Sequence, residues 1–111
     1  MRVEAVDFFY LSMPRIEDIG DGSQDAALVR VRAGRLEGWG QCEASPLVTI
    51  AGFVAPMSHG ACKPVSASVL GQKINDPSDI RRINRLVRVN SPDMLQADHV
   101  LSGTDIALWD L

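Results

Sequence analysis

Cysteine is scarce in this sequence, since only Cys42 and Cys62 occur among its 111 residues. Two cysteines are too few for the disulfide framework that holds many small secreted domains together. A reducing cytoplasm would keep both side chains as thiols. We therefore expect two free cysteines and find no support for a secreted, disulfide-stabilised protein.

An excess of positive charge is also missing. The 11 lysine and arginine residues are outnumbered by 14 aspartate and glutamate residues, which gives a formal net charge of -3. Because the two signs are interspersed, the sequence offers no basic field for nucleic-acid phosphates or anionic lipid. We therefore expect no nucleic-acid partner.

The sequence contains no long hydrophobic run. Its longest nearly apolar stretch covers residues 48–57, well short of the roughly 20 residues that a membrane-spanning helix needs. Near the start, Glu4 and Asp7 interrupt what would have to be the apolar part of a signal peptide. We therefore expect no membrane association and a cytoplasmic location.

The sequence predicts one domain over residues 1–111. Its length matches the roughly 100–150 residues of a usual domain, and its 46% of hydrophobic residues can form a modest core. Residues 3–12 mix β-branched, aromatic and acidic side chains in the partial alternation of a strand. Residues 27–32 and 36–43 flank Gly34, which predicts an antiparallel hairpin.

Two segments are predicted to be loops. Residues 13–25 combine acids with glycine and proline, and cannot bury much apolar surface. Residues 44–65 contain three prolines, two glycines and no clear period, which predicts a long loop with at most one helical turn. Long loops in compact domains are often lids or binding segments.

Helices are predicted in the second half. Residues 65–70 suit a short helix that ends at Gly71. A longer helix is predicted to begin at Ser78 as its cap and to stop at residues 90–92, with one apolar face formed by Ile80, Ile83, Leu86 and Val87. Asp93 is predicted to cap a last helix, whose apolar stripe comprises Leu101, Leu108 and Leu111. Three strands followed by helices predict an α+β domain, with a three-stranded antiparallel sheet and a helical layer.

Four local signatures accompany this order. They are Met13-Pro14 after the first strand, LVRV at residues 28–31, GWGQCE at residues 38–43 and SGTDIALWDL at residues 102–111. In these signatures the chain resembles the N-terminal capping domain of the mandelate racemase and muconate lactonizing enzyme branch of the enolase superfamily. The last signature is the most specific.

The resemblance implies a modified TIM barrel after residue 111, where carboxylates hold Mg²⁺ and lysine or histidine bases remove the proton alpha to a substrate carboxylate. It implies no catalytic residue and no metal ligand in this chain, which we expect to be truncated before the barrel. The implied partners are the barrel of the same polypeptide, a small carboxylic acid substrate and further copies in a homo-oligomer.

The resemblance also implies two lid segments over the barrel mouth, residues 14–24 (the first lid segment) and 44–62 (the second lid segment). Within them, Arg15 would pair with a substrate carboxylate, Ile16 and Ile19 would form an apolar wall, Ser45 would lie nearest the mouth, and His59 would hydrogen-bond a substrate hydroxyl or carboxylate. Each residue also has a structural alternative. Arg15 would be a surface arginine that neutralises Glu17 or Asp18, and His59 would be an ordinary loop histidine. Ser45, Ile16 and Ile19 would simply be loop or local core residues.

Some other residues could be taken for metal ligands or binding residues. His59 and Cys62, together with Cys42 and His99, would make four zinc ligands, but their spacing matches no compact zinc finger. We therefore expect no metal site in this chain. Asp105 and Asp110 are predicted to be helix-capping residues or inter-domain hydrogen-bond partners. Trp39 and Trp109 are predicted to be packing residues.

The function expected from the resemblance is a magnesium-dependent lyase or isomerase. Acid-sugar dehydration is the favoured reaction, because the first lid segment is polar and the second carries Ser58 and His59, which suit a hydroxylated substrate. Racemisation and cycloisomerisation are the alternatives within the family. A non-catalytic, stand-alone binding module is the alternative from another class.

Overall fold

A computed structural model describes residues 1–20, 22–42, 45–60, 62–95 and 98–111. It confirms the α+β class, with three strands followed by helices. The elements are β1 Ala5–Leu11, β2 Ala26–Ala33, β3 Leu36–Cys42, α1 Pro46–Val54, α2 Ser66–Val69, α3 Pro77–Asn90, the 3-10 helix η1 Pro92–Leu95 and α4 His99–Asp110. The expected strand end at Glu43 and the lid residues Asp21, Ala44 and Ala61 lie outside the described residues.

The sheet has the strand order β1-β2-β3, and both pairings are antiparallel. In this register Val6 lies opposite Val31, and Val29 lies opposite Gly40. The hairpin between β2 and β3 turns at Gly34, whose φ of 62° is the left-handed conformation that glycine adopts without steric cost. The predicted hairpin is confirmed.

The core lies between the sheet and the helices. Alternate residues of β2, including Val29 and Val31, are fully buried on the face that the helices cover. On the helical side, Ile83 of α3 and both Leu101 and Leu108 of α4 are buried in the same cluster. The predicted apolar faces of these two helices are therefore confirmed.

Helix α4 lies directly on β3 because β3 has glycine at the two contact points. A Cβ atom on Gly40 would lie 2.0 Å from the carbonyl oxygen of Gly103, and a Cβ on Gly38 would lie 2.1 Å from that of Ala107. Both distances are far below a possible contact, so any side chain here would push the helix off the sheet. The glycine-rich signature of β3 and the signature of α4 are the two sides of one contact.

Helix α1 corrects the expectation of a long loop after β3. It has nine residues, with Pro46 at its start and Thr49 and Phe53 buried. Leu47 and Val54, on its solvent side, are 63% and 59% exposed. Because both sides of α1 are apolar, the sequence shows no amphipathic period that would reveal the helix. The one local signal for it is Pro46, since proline suits the first position of a helix.

The helix ends also differ in part from expectation. Asp76, and not Ser78, caps α3, since its Oδ1 accepts a 2.7 Å hydrogen bond from the Ser78 backbone N–H. Asp93 does not cap α4 but belongs to η1. Helix α2 is followed by Gly71 with a φ of 78°, as predicted. Within the described ranges, no helix combines the length and the apolar character needed to cross a membrane.

Candidate functional site

Two of the predicted specificity residues line one groove of about 270 Å³. Ile16 comes from the first lid segment, and Ser45 precedes α1 in the second lid segment. The groove is completed by Tyr10, Ser23, Gln24, Asp25 and Pro46. The two segments therefore meet at the end of β1, and we call this the lid groove.

The polar wall of the lid groove is held by Asp25. Its carboxylate accepts hydrogen bonds from the Tyr10 hydroxyl and, at 2.7 Å, from the Met13 backbone N–H. These two donors lower the pKa of Asp25, and the same contact raises the pKa of Tyr10 above its usual value of 10.0. The register of β1 on β2, with Leu11 opposite Ala26, is what brings Tyr10 to Asp25.

The first lid segment is folded back on itself by Ser23. The Ser23 hydroxyl accepts a 2.9 Å hydrogen bond from the Glu17 backbone N–H and donates a 3.4 Å bond to the Arg15 carbonyl oxygen. Ile16 and Ile19 remain 56% and 60% exposed. This fold presents both isoleucines to solvent, where they are free to contact another surface.

Arg15 lies on the same exposed segment. Neither Glu17 nor Asp18 is within ion-pair distance of it in the described structure, so the expected alternative of a local salt bridge is not found. Arg15 and Ile19 do not line the lid groove. Their roles as specificity residues stay predictions.

His59 lies at a different place. Its Nε2 atom is 3.2 Å from Oδ2 of Asp93 in η1, and the Cys62 thiol is close to both side chains. Cys42, the more distant cysteine, is buried with its Sγ 3.3 Å from the Thr49 hydroxyl. Both cysteines are free, as expected. Sequence spacing missed Asp93 because η1 follows α3, far along the chain from His59.

The outer face of the sheet carries an ionic and aromatic cluster. Burial raises the pKa of Asp7, but hydrogen bonds from Arg32 and Arg30 outweigh this effect and lower it below the usual value. Beside them, Trp39 stacks on Phe9 at a centroid distance of 5.6 Å, and the Arg30 guanidinium lies over both rings. Trp39 is thus a packing residue, as predicted, although 39% of it is exposed.

The two aspartates of the last signature connect elements within the domain. Asp110 accepts a 2.8 Å hydrogen bond from the Trp39 backbone N–H of β3, and Asp105 accepts a 3.0 Å bond from the Asn84 side chain of α3. Both aspartates are thus hydrogen-bond partners inside the domain and do not cap a helix in these contacts, while the expected inter-domain partner stays a prediction. Both bonds fasten α4 in place on its neighbours.

Comparison with solved structures decides the family. The chain is 63% identical to a protein from Rhodobacter sphaeroides described as a predicted mandelate racemase, with a TM-score of 0.93 over 99% of the chain. The chain is an N-terminal capping domain of the mandelate racemase branch of the enolase superfamily. No family model and no curated protein matches it.

This capping domain spans 28% of the length of that Rhodobacter protein. A second solved structure, of a racemase assigned by inference, superposes on 98% of the chain with a TM-score of 0.77. At 19% identity, this second likeness shows the fold alone. The lid groove, formed where the two lid segments meet, is the part of the capping domain that we assign as its candidate functional site.

Proposed function

We propose that this capping domain closes the active site of a barrel in the same polypeptide, and that the whole enzyme abstracts a proton alpha to a carboxylate. The observation that carries the proposal is the 63% identity, over 99% of the chain, to a protein described as a predicted mandelate racemase. Because the chain spans 28% of that protein, a catalytic barrel would occupy the rest of the polypeptide.

The role of this chain is to bind and enclose the substrate. Within the lining of the lid groove, Ile16 would supply an apolar contact and Ser45 a hydrogen-bonding hydroxyl. Enclosure removes water from the reacting centre, which strengthens the electrostatic interactions that stabilise an enolate. Arg15 and Ile19 would extend this surface along the first lid segment.

Mg²⁺ would be held by the barrel and not by this domain. In the part of the chain that the structure describes, the group of potential metal ligands that comes together is His59, Cys62 and Asp93. Mg²⁺ prefers an octahedral set of oxygen ligands, so a group with a thiol and an imidazole does not fit it. We therefore assign no step of the reaction to Mg²⁺ on this chain.

Within the family, the reaction we propose is the dehydration of an acid sugar. The polar wall formed by Tyr10, Ser23 and Asp25 suits a hydroxylated substrate. Racemisation is the second candidate, and the description of the Rhodobacter relative favours it. We further propose that the enzyme is a cytoplasmic homo-oligomer.

Proton exchange tests the proposal. The complete product of the gene is incubated in D₂O with a panel of acid sugars and 2-hydroxy acids, and the alpha position is followed by NMR. Loss of the alpha proton together with water, to give a 2-keto acid with deuterium at the neighbouring carbon, supports dehydration, whereas deuterium exchange at the alpha position with inversion supports racemisation. Retention of the alpha proton in every carboxylic acid of the panel would contradict the proposed activity.

Two variants test the lid groove itself. Ile16→Ala and Ser45→Ala should each raise KM or lower kcat/KM by about tenfold, because each removes one contact worth about 1.4 kcal/mol. Val89→Ala is the matched control, since Val89 is 76% exposed on α3 and does not line the groove. Equal effects of all three variants would show that the lid groove does not bind the substrate.

A further inference from the structure

We propose that His59, Cys62 and Asp93 form a zinc-binding site on this domain, separate from the barrel chemistry proposed above. One nitrogen, one sulfur and one carboxylate oxygen from these residues all lie within 4.8 Å of one another. Imidazole, thiolate and carboxylate are the three protein ligand types that Zn²⁺ binds. The thiolate makes Zn²⁺, and not Mg²⁺ or Ca²⁺, the fitting ion.

The distances are close to those of a formed site. With zinc–nitrogen and zinc–sulfur bonds of about 2.0 and 2.3 Å, neighbouring ligand atoms of a tetrahedral site lie about 3.3–3.8 Å apart. Nε2 of His59 and Oδ2 of Asp93 are already 3.2 Å apart. Bringing the Cys62 sulfur into this range requires a movement of about 1 Å at most, which rotation of exposed side chains can supply.

Backbone hydrogen bonds hold the two contributing segments together. The Cys62 N–H donates to the His59 carbonyl oxygen at 3.0 Å, which keeps these two residues close to each other. The next residue, Lys63, donates its N–H to the carbonyl oxygen of Asn90 at 3.1 Å, just before η1 begins with Asp93 in its first turn. The backbone of the two segments is therefore held close together before any ion arrives, and only the side chains must adjust.

The burial pattern suits an ion that enters from solvent. Cys62 is only 5% exposed, whereas the side chains of His59 and Asp93 are 58% and 51% exposed. The ion would bind with the thiolate beneath it and the other two ligands beside it. Three protein ligands leave the fourth tetrahedral position to a water molecule. Binding would fasten the end of the second lid segment to η1.

An exposed histidine–aspartate pair without any metal is the competing account, and such pairs contribute little to stability. The two accounts differ in the role of Cys62, because an ion pair makes no use of the thiol. A metal–thiolate bond has its own absorption, so Co²⁺ in place of Zn²⁺ reports whether sulfur is a ligand. Binding also releases the thiol proton to the buffer.

The test is a Co²⁺ titration of the purified, metal-free protein, followed by displacement with Zn²⁺. We expect a thiolate-to-cobalt charge-transfer band that saturates at one equivalent and disappears when Zn²⁺ is added. Cys62→Ser should abolish the band, while Cys42→Ser, the matched control at the other buried cysteine, should keep it. Asp93→Asn and His59→Gln should each weaken binding at least about tenfold.

Circular dichroism of each variant separates loss of a ligand from loss of the fold. Asp93 is exposed, so Asp93→Asn should keep the wild-type spectrum even if Cys62→Ser does not fold. Zn²⁺ should raise the Tm of the wild-type protein clearly more than that of Asp93→Asn, because the variant binds the ion more weakly. A missing thiolate band, or a band that depends on Cys42 and not on Cys62, would overturn the site while leaving the proposed capping function untouched.

Discussion

Gly40 of β3 allows helix α4 to lie close to the sheet. Because a Cβ on Gly40 would lie 2.0 Å from the Gly103 carbonyl oxygen, even alanine must displace the α4 backbone. We predict that Gly40→Ala lowers the free energy of unfolding by at least about 2 kcal/mol in urea titrations. The control is Gly60→Ala, at a glycine with no atom within 4 Å of a built Cβ and no positive φ, which should change it by less than about 0.5 kcal/mol. Equal effects would contradict the close contact.

Tyr10 provides a local probe of the lid groove, because it is the single tyrosine of the sequence. Its hydroxyl donates to the Asp25 carboxylate, and the negative charge makes loss of the phenolic proton harder. We predict that Asp25→Asn lowers the pKa of Tyr10 toward 10.0, measured by the ultraviolet absorbance of tyrosinate. Glu17→Gln is a charge-matched control that should leave the titration in place. An unchanged titration in Asp25→Asn would show that the contact does not form in solution.

At the scale of elements, the start of α3 has a specific cap. Asp76→Ala should cost about 1 kcal/mol of unfolding free energy, because it removes the acceptor for the Ser78 backbone N–H. Asp76→Asn should be nearly neutral, since asparagine caps as well as aspartate does. Ser78→Ala keeps the backbone donor and should cost less than Asp76→Ala. If urea unfolding showed a larger loss of free energy for Ser78→Ala than for Asp76→Ala, Ser78 and not Asp76 would be the cap.

The elements that could be predicted from the sequence are those whose pattern has one polar and one apolar side. The hairpin was evident from Gly34 between two alternating segments, and α3 from the spacing of Ile80, Ile83 and Val87. Helix α1 was not predictable in this way, because Leu47 and Val54 are apolar although they face solvent. Its exposed apolar side obscures the helical period.

The candidate site was predictable to a similar extent. The resemblance puts Ile16 on the first lid segment and Ser45 on the second, and both line the lid groove, whereas their contact with a substrate stays a prediction. His59 lies beside Asp93 and Cys62, a grouping that the sequence does not predict, and its expected contact with the substrate stays a prediction. That grouping depends on how η1 packs after α3, which no local sequence pattern encodes.

For the molecule as a whole, the distribution of exposed apolar side chains predicts its behaviour in solution. Along β1 and the first lid segment, several large apolar residues are at least 38% exposed: Phe9, Tyr10, Leu11, Met13, Ile16 and Ile19. A concentration of exposed large apolar side chains in one part of a chain often marks a surface that packs against another. We predict that the 111-residue chain by itself self-associates or binds a hydrophobic dye. A monodisperse monomer that binds no dye would count against a capping role.

A double variant shows where this binding occurs. Replacing Ile16 and Ile19 with aspartate should reduce dye fluorescence and self-association, because both side chains lie on the exposed first lid segment. Aspartate at Val89 and Leu36 is the matched control, since these residues are also exposed but lie on α3 and on the hairpin. Equal loss of dye binding in both double variants would show that the exposed surface is not localised to the lid.

The central claim is that this domain caps a catalytic barrel in the same polypeptide. Reading the coding DNA beyond codon 111 tests it most directly. The account predicts an open reading frame that encodes a barrel, with a lysine pair on an early strand and three successive carboxylates at the ends of later strands. A stop codon immediately after codon 111 would contradict the account and would leave a non-catalytic binding module.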